Sequence, residues 1–286
     1  MKIYAKCNLS LNVVGRRADG YHELDMVVCS VSLYDEITLF ERRDRAIICD
    51  MDGVRQTSNA ALSAAVRFRR AAEAETGPRF PGWTIRIKKG IPFCAGLGGS
   101  SADAAGVLKL LEERYPGEAD IFKLSEMLGS DTTFMLEGGF ARMRGRGERV
   151  ESFVCPQKLY FVFLVGEGGV STADAFARAD EQGMCAPSDN GKMVSLLRAG
   201  DLAGAAAEMK NGLFAAATSL NPEVGAAAME LKALHPLCVN MTGSGSAVYA
   251  LFDSREAAES ALARVRNPKA FLAETVSSAR GSSRCE

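Results

Sequence analysis

Apolar residues alternate with polar or small ones near the start of the chain and settle into helical spacing further on. Leu9, Leu11 and Val13 show the period of a half-buried strand. Arg16-Arg17-Ala18-Asp19-Gly20 interrupts them with an Asp-Gly hairpin signal. Residues 26–33 and 36–40 read as two further strands, so the first fifty residues predict a mixed sheet. Alanine-rich periodicity over residues 57–76 predicts a helix, with Ser58 or Thr57 as its N-cap and Gly77-Pro78 as its stop. Ile85, Ile87 and Ile91 have strand spacing. Ala104, Ala105, Val107, Leu108, Leu110 and Leu111 then form a helical stripe that Tyr115-Pro116-Gly117 ends. A short helix over 120–128 is expected to close on Gly129 as its C′ glycine. Residues 129–134 lead into Gly138-Gly139-Phe140-Ala141-Arg142, which places Asp131 before a strand.

A composition change at Pro156 puts a domain boundary near 152–158. The expected organisation is an N-terminal domain over 1–154, a C-terminal domain over 155–276 and a disordered Ser/Gly/Arg-rich tail over 277–286. The second half predicts a strand at 159–165 and helices near 174–183, 190–198, 201–214 and 221–234. A strand-loop-strand follows over 238–252, then a helix at 255–266 and a strand at 269–276. No internal repeat is present.

Between Ile91 and the second helix lies Pro92-Phe93-Cys94-Ala95-Gly96-Leu97-Gly98-Gly99-Ser100-Ser101-Ala102. Three glycines in four positions leave the loop without side chains, so backbone N–H groups can approach a ligand. The helix starting near Ser100 aims its unpaired N–H groups and positive dipole end at the same place. That suits an anion, above all a phosphate chain, although a ligand-free strand-to-helix turn has the same local pattern. No Lys follows the glycines, as a Walker A loop requires. Ser101 stands where the dinucleotide-binding fingerprint has its last Gly. A second glycine-rich turn, Gly145-Arg146-Gly147-Glu148, follows later.

The 286 residues carry a formal net charge of -1, and 47% of them are hydrophobic against 24% charged. This is ordinary for a soluble globular protein and points away from nucleic acid. Eight cysteines with no C-x-x-C pair, and only two histidines, argue against zinc. Most of the cysteines lie in apolar runs, as in Val27-Val28-Cys29, and read as buried thiols in a reducing compartment. Cys94, beside the glycine loop, is the exception to watch. With no signal-peptide core and no membrane-spanning run, the expected location is the cytoplasm.

The pattern Pro-x-x-x-Gly-Leu-Gly-Gly-Ser-Ser-Ala resembles the ATP-binding motif of the GHMP small-molecule kinases. Two more stretches match that family in order: Ala5-Lys6-Cys7-Asn8-Leu9-Ser10-Leu11 and Thr242-Gly243-Ser244-Gly245. Gly20-Tyr21-His22-Glu23-Leu24, with Ser32-Leu33-Tyr34-Asp35-Glu36 beyond it, is similar to the branch acting on 4-diphosphocytidyl-2-C-methyl-D-erythritol in non-mevalonate isoprenoid synthesis. The resemblance covers roughly residues 3–276. It implies a two-domain α+β fold, with a ribosomal-S5-like N-terminal domain, a ferredoxin-like C-terminal domain and the active site in the cleft between them. It also implies ATP with Mg²⁺ as phosphoryl donor, a cytidine diphosphate ester as substrate, no nucleic-acid or membrane partner, and a monomer or weak homodimer.

The same resemblance assigns roles. Asp131 matches the catalytic Asp that accepts the substrate hydroxyl proton, and Lys6 matches the Lys that stabilises developing charge. Pro92, Gly96, Leu97, Gly98, Gly99, Ser100, Ser101 and Ala102 form the phosphate cradle, with Ser100 and Ser101 able to hold phosphate or Mg²⁺. Asn59 is either an adenine contact or a helix cap. His22 is expected to bond the cytosine edge and Tyr21 to stack on one face of the base. Phe176 covers the other face, unless it is a core residue. Asn8 is expected to bond substrate, and Gly243, Ser244 and Gly245 to pack on the phosphate loop and close over the diphosphate. No protein metal-ligand set is assigned.

The chain departs from the family pattern at four places. Tyr4 and Ala18 stand where Pro is usual, Thr132-Thr133 replaces Val-Pro, and Ser246-Ala247 replaces Pro-Thr. All four bear on loop rigidity rather than on a charged or hydrogen-bonding group. The rival readings are a GHMP kinase for another small alcohol, such as homoserine or a mevalonate derivative, and a diphosphomevalonate decarboxylase-like lyase. A catalytically silent nucleotide-binding member is a third.

Overall fold

The computed structural model describes residues 1–74 and 77–277. Its elements begin with β1 (Lys2–Arg16), β2 (His22–Arg42), β3 (Ile47–Met51), β4 (Val54–Gln56), α1 (Ala60–Ala72) and β5 (Gly82–Lys88). They continue with α2 (Gly99–Arg114), α3 (Ile121–Glu126), α4 (Thr132–Glu137), β6 (Phe140–Gly145) and β7 (Arg149–Phe153). The second half contributes β8 (Tyr160–Val165), α5 (Thr172–Gln182), α6 (Asn190–Ala199), α7 (Leu202–Glu208), α8 (Phe214–Leu220) and α9 (Pro222–Lys232). The last elements are β9 (Cys238–Met241), β10 (Ala247–Phe252), α10 (Arg255–Leu262) and β11 (Ala270–Glu274).

The chain forms two compact units. One gathers Met1–Ala5, Leu33–Ile91 and Gly98–Glu137; the other gathers Lys6–Ser32, Pro92–Leu97 and the chain from Gly138 onward. Each is therefore assembled from three segments, whereas the sequence reading placed two consecutive domains on either side of 152–158.

In the first unit, the end of β2 pairs antiparallel with β5, β5 pairs parallel with β3, and β3 pairs with β4. Helices α1 and α2 pack together through Ala61, Ala64, Ala65 and Phe68 on one side and Ala104, Ala105, Val107 and Leu108 on the other, all buried. Phe68, Phe80, Trp83 and Tyr115 form an aromatic cluster beside them. Burial of each large side chain stabilises the unit by about 1.5–3 kcal/mol. The N-cap of α1 is Asn59, not Ser58 or Thr57. Its extended backbone lets Oδ1 accept from the Leu62 N–H at 2.8 Å. Gly129 is not a left-handed C′ residue. A Cβ there would stand 3.2 Å from Ser101 Oγ and 3.3 Å from Thr132 Oγ1, so the demand for glycine is one of space. Residues after Asp131 form α4 rather than a strand.

In the second unit, the start of β2 pairs with β6 and β6 with β7. A separate antiparallel sheet has the order β11-β8-β10-β9. Helices join its first strand to its second and its third to its fourth, the ferredoxin-like arrangement. Phe161, Phe163 and Tyr249 are fully buried on it. The expected helix over 201–214 is two helices. Between α7 and α8 the backbone pairs with β1: the Leu11 N–H donates to Lys210 O and the Gly212 N–H to Leu11 O. The Asp-Gly hairpin turn is present, with Arg17 N–H donating to Tyr21 O.

Cys7, Cys29 and Cys49 are buried, while Cys94 and Cys185 are exposed. Most of the expected tail, from residue 278, lies outside the described residues. No described helix is long and apolar enough to cross a membrane.

Candidate active site

Three groups of expected site residues are brought together. The first lies in the second unit around Lys6. Lys6 is 4% exposed, and its Nζ donates to Asn8 Oδ1. The same oxygen accepts from the Gly243 N–H at 3.0 Å. The Asn8 N–H donates to Thr242 Oγ1, and that hydroxyl donates to Gly96 O, both at 3.0 Å. Lys6 N–H donates to Leu97 O and Ala247 N–H to Ala95 O. The first part of the glycine loop is therefore stitched to β1 and to the 242–245 loop. Two glycines permit it. A Cβ on Gly96 would fall 2.1 Å from Thr242 O, and one on Gly243 would fall 2.9 Å from Gly96 O. Packing of Gly243 on the loop matches expectation. Asn8, expected to bond substrate, is fully buried, with Oδ1 committed to Lys6 and Gly243. Ser244 Oγ lies 3.0 Å from Thr172 Oγ1 at the start of α5.

Thr242 was quoted only as part of a motif, yet it satisfies two loops at once. Thr242→Val removes a buried donor and acceptor and strands the Asn8 N–H. A loss of about 2–4 kcal/mol in urea unfolding is expected; a change within 0.5 kcal/mol would remove the hydroxyl from this role.

The second group, also in the second unit, surrounds His22. Its ring stacks on Phe176, with centroids 4.6 Å apart and planes 17° from parallel. His22 Nε2 is 2.8 Å from Asp180 Oδ1. Phe176 and Asp180 lie four residues apart on α5 and so share a face. That spacing is the signal that could have found Asp180. Phe176 is half-buried rather than a core residue. Tyr21 is 57% exposed, and the Arg146 guanidinium lies 4.8 Å from its ring centroid. The group thus offers planar surfaces and polar edges, the chemistry that holds a flat heterocycle.

The third group is in the first unit. Gly98 is the N-cap of α2, with φ of 75° and no side chain to cap the helix. The first N–H groups of a four-turn helix therefore meet no capping side chain, which suits an anion. Ser100 and Ser101 supply hydroxyls in the same turn. Asp131 is half-buried, and its carbonyl accepts from the Met135 N–H as α4 begins. Asn59, besides capping α1, points Nδ2 at Cys49 Sγ, 3.4 Å away.

A fourth cluster of the first unit, missed in the sequence, is buried. Lys89 Nζ donates to Asp35 Oδ2 and, at 2.9 Å, to Asp103 Oδ2. Its members stand far apart in the chain, and the motif stretch that contains Asp35 gives no sign of its partners. Among the described residues no group of three His, Cys, Asp or Glu side chains is placed to hold a metal ion.

The family model described as GHMP kinases N terminal domain matches residues 59–139, and GHMP kinases C terminal matches residues 193–270. The chain is 38% identical to a 4-diphosphocytidyl-2-C-methyl-D-erythritol kinase of Pelotomaculum thermopropionicum, over 92% of this chain and 92% of that one. It is 34% identical to the protein of the same name from Desulfitobacterium hafniense, covering 96% and 95%. A crystal structure of a 4-(cytidine 5'-diphospho)-2C-methyl-D-erythritol kinase superposes with a TM-score of 0.80 at 31% identity, covering 96% of this chain and 98% of that one.

Proposed function

The chain belongs to the GHMP kinases, and we propose that it transfers the γ-phosphoryl group of ATP to the 2-hydroxyl of 4-diphosphocytidyl-2-C-methyl-D-erythritol. The observation that carries the substrate assignment is the stack of His22 on Phe176 beside exposed Tyr21. Exposed Tyr21 offers a face on which a cytosine ring can stack, while His22, stacked on Phe176 and held at Nε2 by Asp180, presents its remaining ring nitrogen, Nδ1, to the hydrogen-bonding edge of the base.

Asp131 accepts the proton of the 2-hydroxyl as its oxygen attacks the γ-phosphorus. The bond to the β–γ bridging oxygen breaks and ADP leaves. The backbone N–H groups of residues 96–101 hold the phosphates at the start of α2, where Ala102 N–H already closes the first helical turn onto Gly98 O. Lys6, with its ammonium oriented by Asn8, faces the charge that develops on the transferred group. Mg²⁺ prefers oxygen ligands and keeps several waters, so the hydroxyls of Ser100 and Ser101 suit an ion carried in on the ATP phosphates. Bound there, the ion neutralises phosphate charge.

The test is ADP release by purified protein with ATP and Mg²⁺. Release is expected with the cytidine diphosphate ester of methylerythritol and not with homoserine or mevalonate. ADP release with homoserine or mevalonate alone would reject the cytidine assignment, and carbon dioxide release from diphosphomevalonate would reject the kinase reaction.

A further inference from the structure

The chain enters and leaves the glycine-rich loop beside a buried cluster of three charges that the mechanism does not use. Asp35 on β2, Lys89 just past β5, and Asp103 one turn into α2 have side chains 0%, 7% and 5% exposed. Lys89 Nζ donates to both carboxylates. The second oxygen of Asp35 accepts from the Gly90 N–H at 2.7 Å and the Ile91 N–H at 2.9 Å, the two residues that lead into Pro92. The ammonium nitrogen lies 3.4 Å from where a Cβ on Gly99 would stand, against the first residue of α2. The second oxygen of Asp103 is buried with no hydrogen-bond partner among the described residues.

We infer that this cluster is the positioning device of the phosphate loop: Asp35 holds the strand that enters it, Asp103 the helix that leaves it, and Lys89 ties the two together. The inference rests on the reading of that loop as the ATP site. A loop of mostly glycine has little side-chain packing to hold its shape, and ordering it on binding would be costly. Two buried ion pairs and the two backbone N–H bonds to Asp35 supply the rigidity from beneath. A buried charge tolerates little displacement, because a broken pair leaves an unpaired charge.

The experiment compares wild type, Lys89→Met and Asp103→Asn by KM for ATP and for the cytidine substrate, and by MgADP binding. Lys89→Met, which breaks both ion pairs, is expected to raise the ATP KM at least about ten-fold and leave the cytidine-substrate KM within about two-fold. Asp103→Asn, which breaks one pair and keeps the other, is expected to raise the ATP KM about three-fold with the cytidine-substrate KM again unchanged. Parallel rises in both KM values would overturn the inference, as would an ATP KM unchanged in both variants. If Lys89→Met does not fold, the two KM values of Asp103→Asn decide alone. A wild type that binds no MgATP or MgADP would instead reject the ATP-site reading and this inference with it.

Discussion

Asp131→Asn is expected to lower kcat by about 10³-fold while MgATP binds with unchanged affinity. The substitution keeps the size of the side chain and replaces an anionic carboxylate that can take a proton with a neutral amide that cannot. The Asp131 carbonyl, which accepts from the Met135 N–H as α4 begins, is unchanged by it. Half-buried, the side chain is open enough to meet a substrate and shielded enough to act as a defined base. Phosphoryl transfer otherwise relies on positioning and charge neutralisation, which this variant retains. A single-turnover experiment with pre-bound ATP separates chemistry from product release. Full activity in Asp131→Asn would remove the base from the mechanism and leave the residue an orienting role.

Much of this site could be read in the chain because its parts are local. The glycine loop, the helix after it and the Asp-Gly hairpin are each contiguous, and backbone chemistry predicts their form, while the Tyr21-His22 pair is legible only through its resemblance to a family motif. What escaped was tertiary. Strand β2 runs unbroken from His22 to Arg42, although the sequence suggested two strands interrupted at Tyr34-Asp35. A charged residue reads as an interruption, yet Asp35 is fully buried because Lys89 and two backbone N–H groups satisfy it. The alanine-rich run after Asp201 has helical character throughout. It breaks at residues 209–213 because the backbone there pairs with Leu11, a partner nearly two hundred residues earlier in the chain. There tertiary hydrogen bonds override propensity. Thr132-Thr133 favours a strand by its β-branched side chains, and α4 forms with both threonines buried. For Asn59 the sequence allows both cap and ligand contact; Oδ1 makes the cap, and Nδ2 faces Cys49.

Gly96→Ala is expected to abolish measurable ADP release and to destabilise the protein by about 4 kcal/mol, although it adds a single methyl group. Two independent effects combine. Gly96 has φ of 75°, and alanine in the left-handed region is penalised by about 1–2 kcal/mol. The new Cβ would also fall 2.1 Å from the Thr242 carbonyl oxygen, a rigid backbone atom that cannot rotate aside. The glycine loop or the 242–245 loop must move. Either movement breaks the bond from Thr242 Oγ1 to Gly96 O and disturbs Asn8, whose Oδ1 is shared between Lys6 and Gly243. The ammonium assigned to charge stabilisation then loses its orientation together with the phosphate cradle. Gly15→Ala is the control, since nothing lies within 4 Å of its Cβ position and its backbone is not left-handed; it should unfold in urea within 0.5 kcal/mol of wild type, as surface substitutions do. If Gly96→Ala matched Gly15→Ala in both stability and ADP release, close backbone approach would not be what this loop requires. Loss of activity with stability unchanged would mean that the loops separate without strain, and that their contact serves the bound phosphates alone.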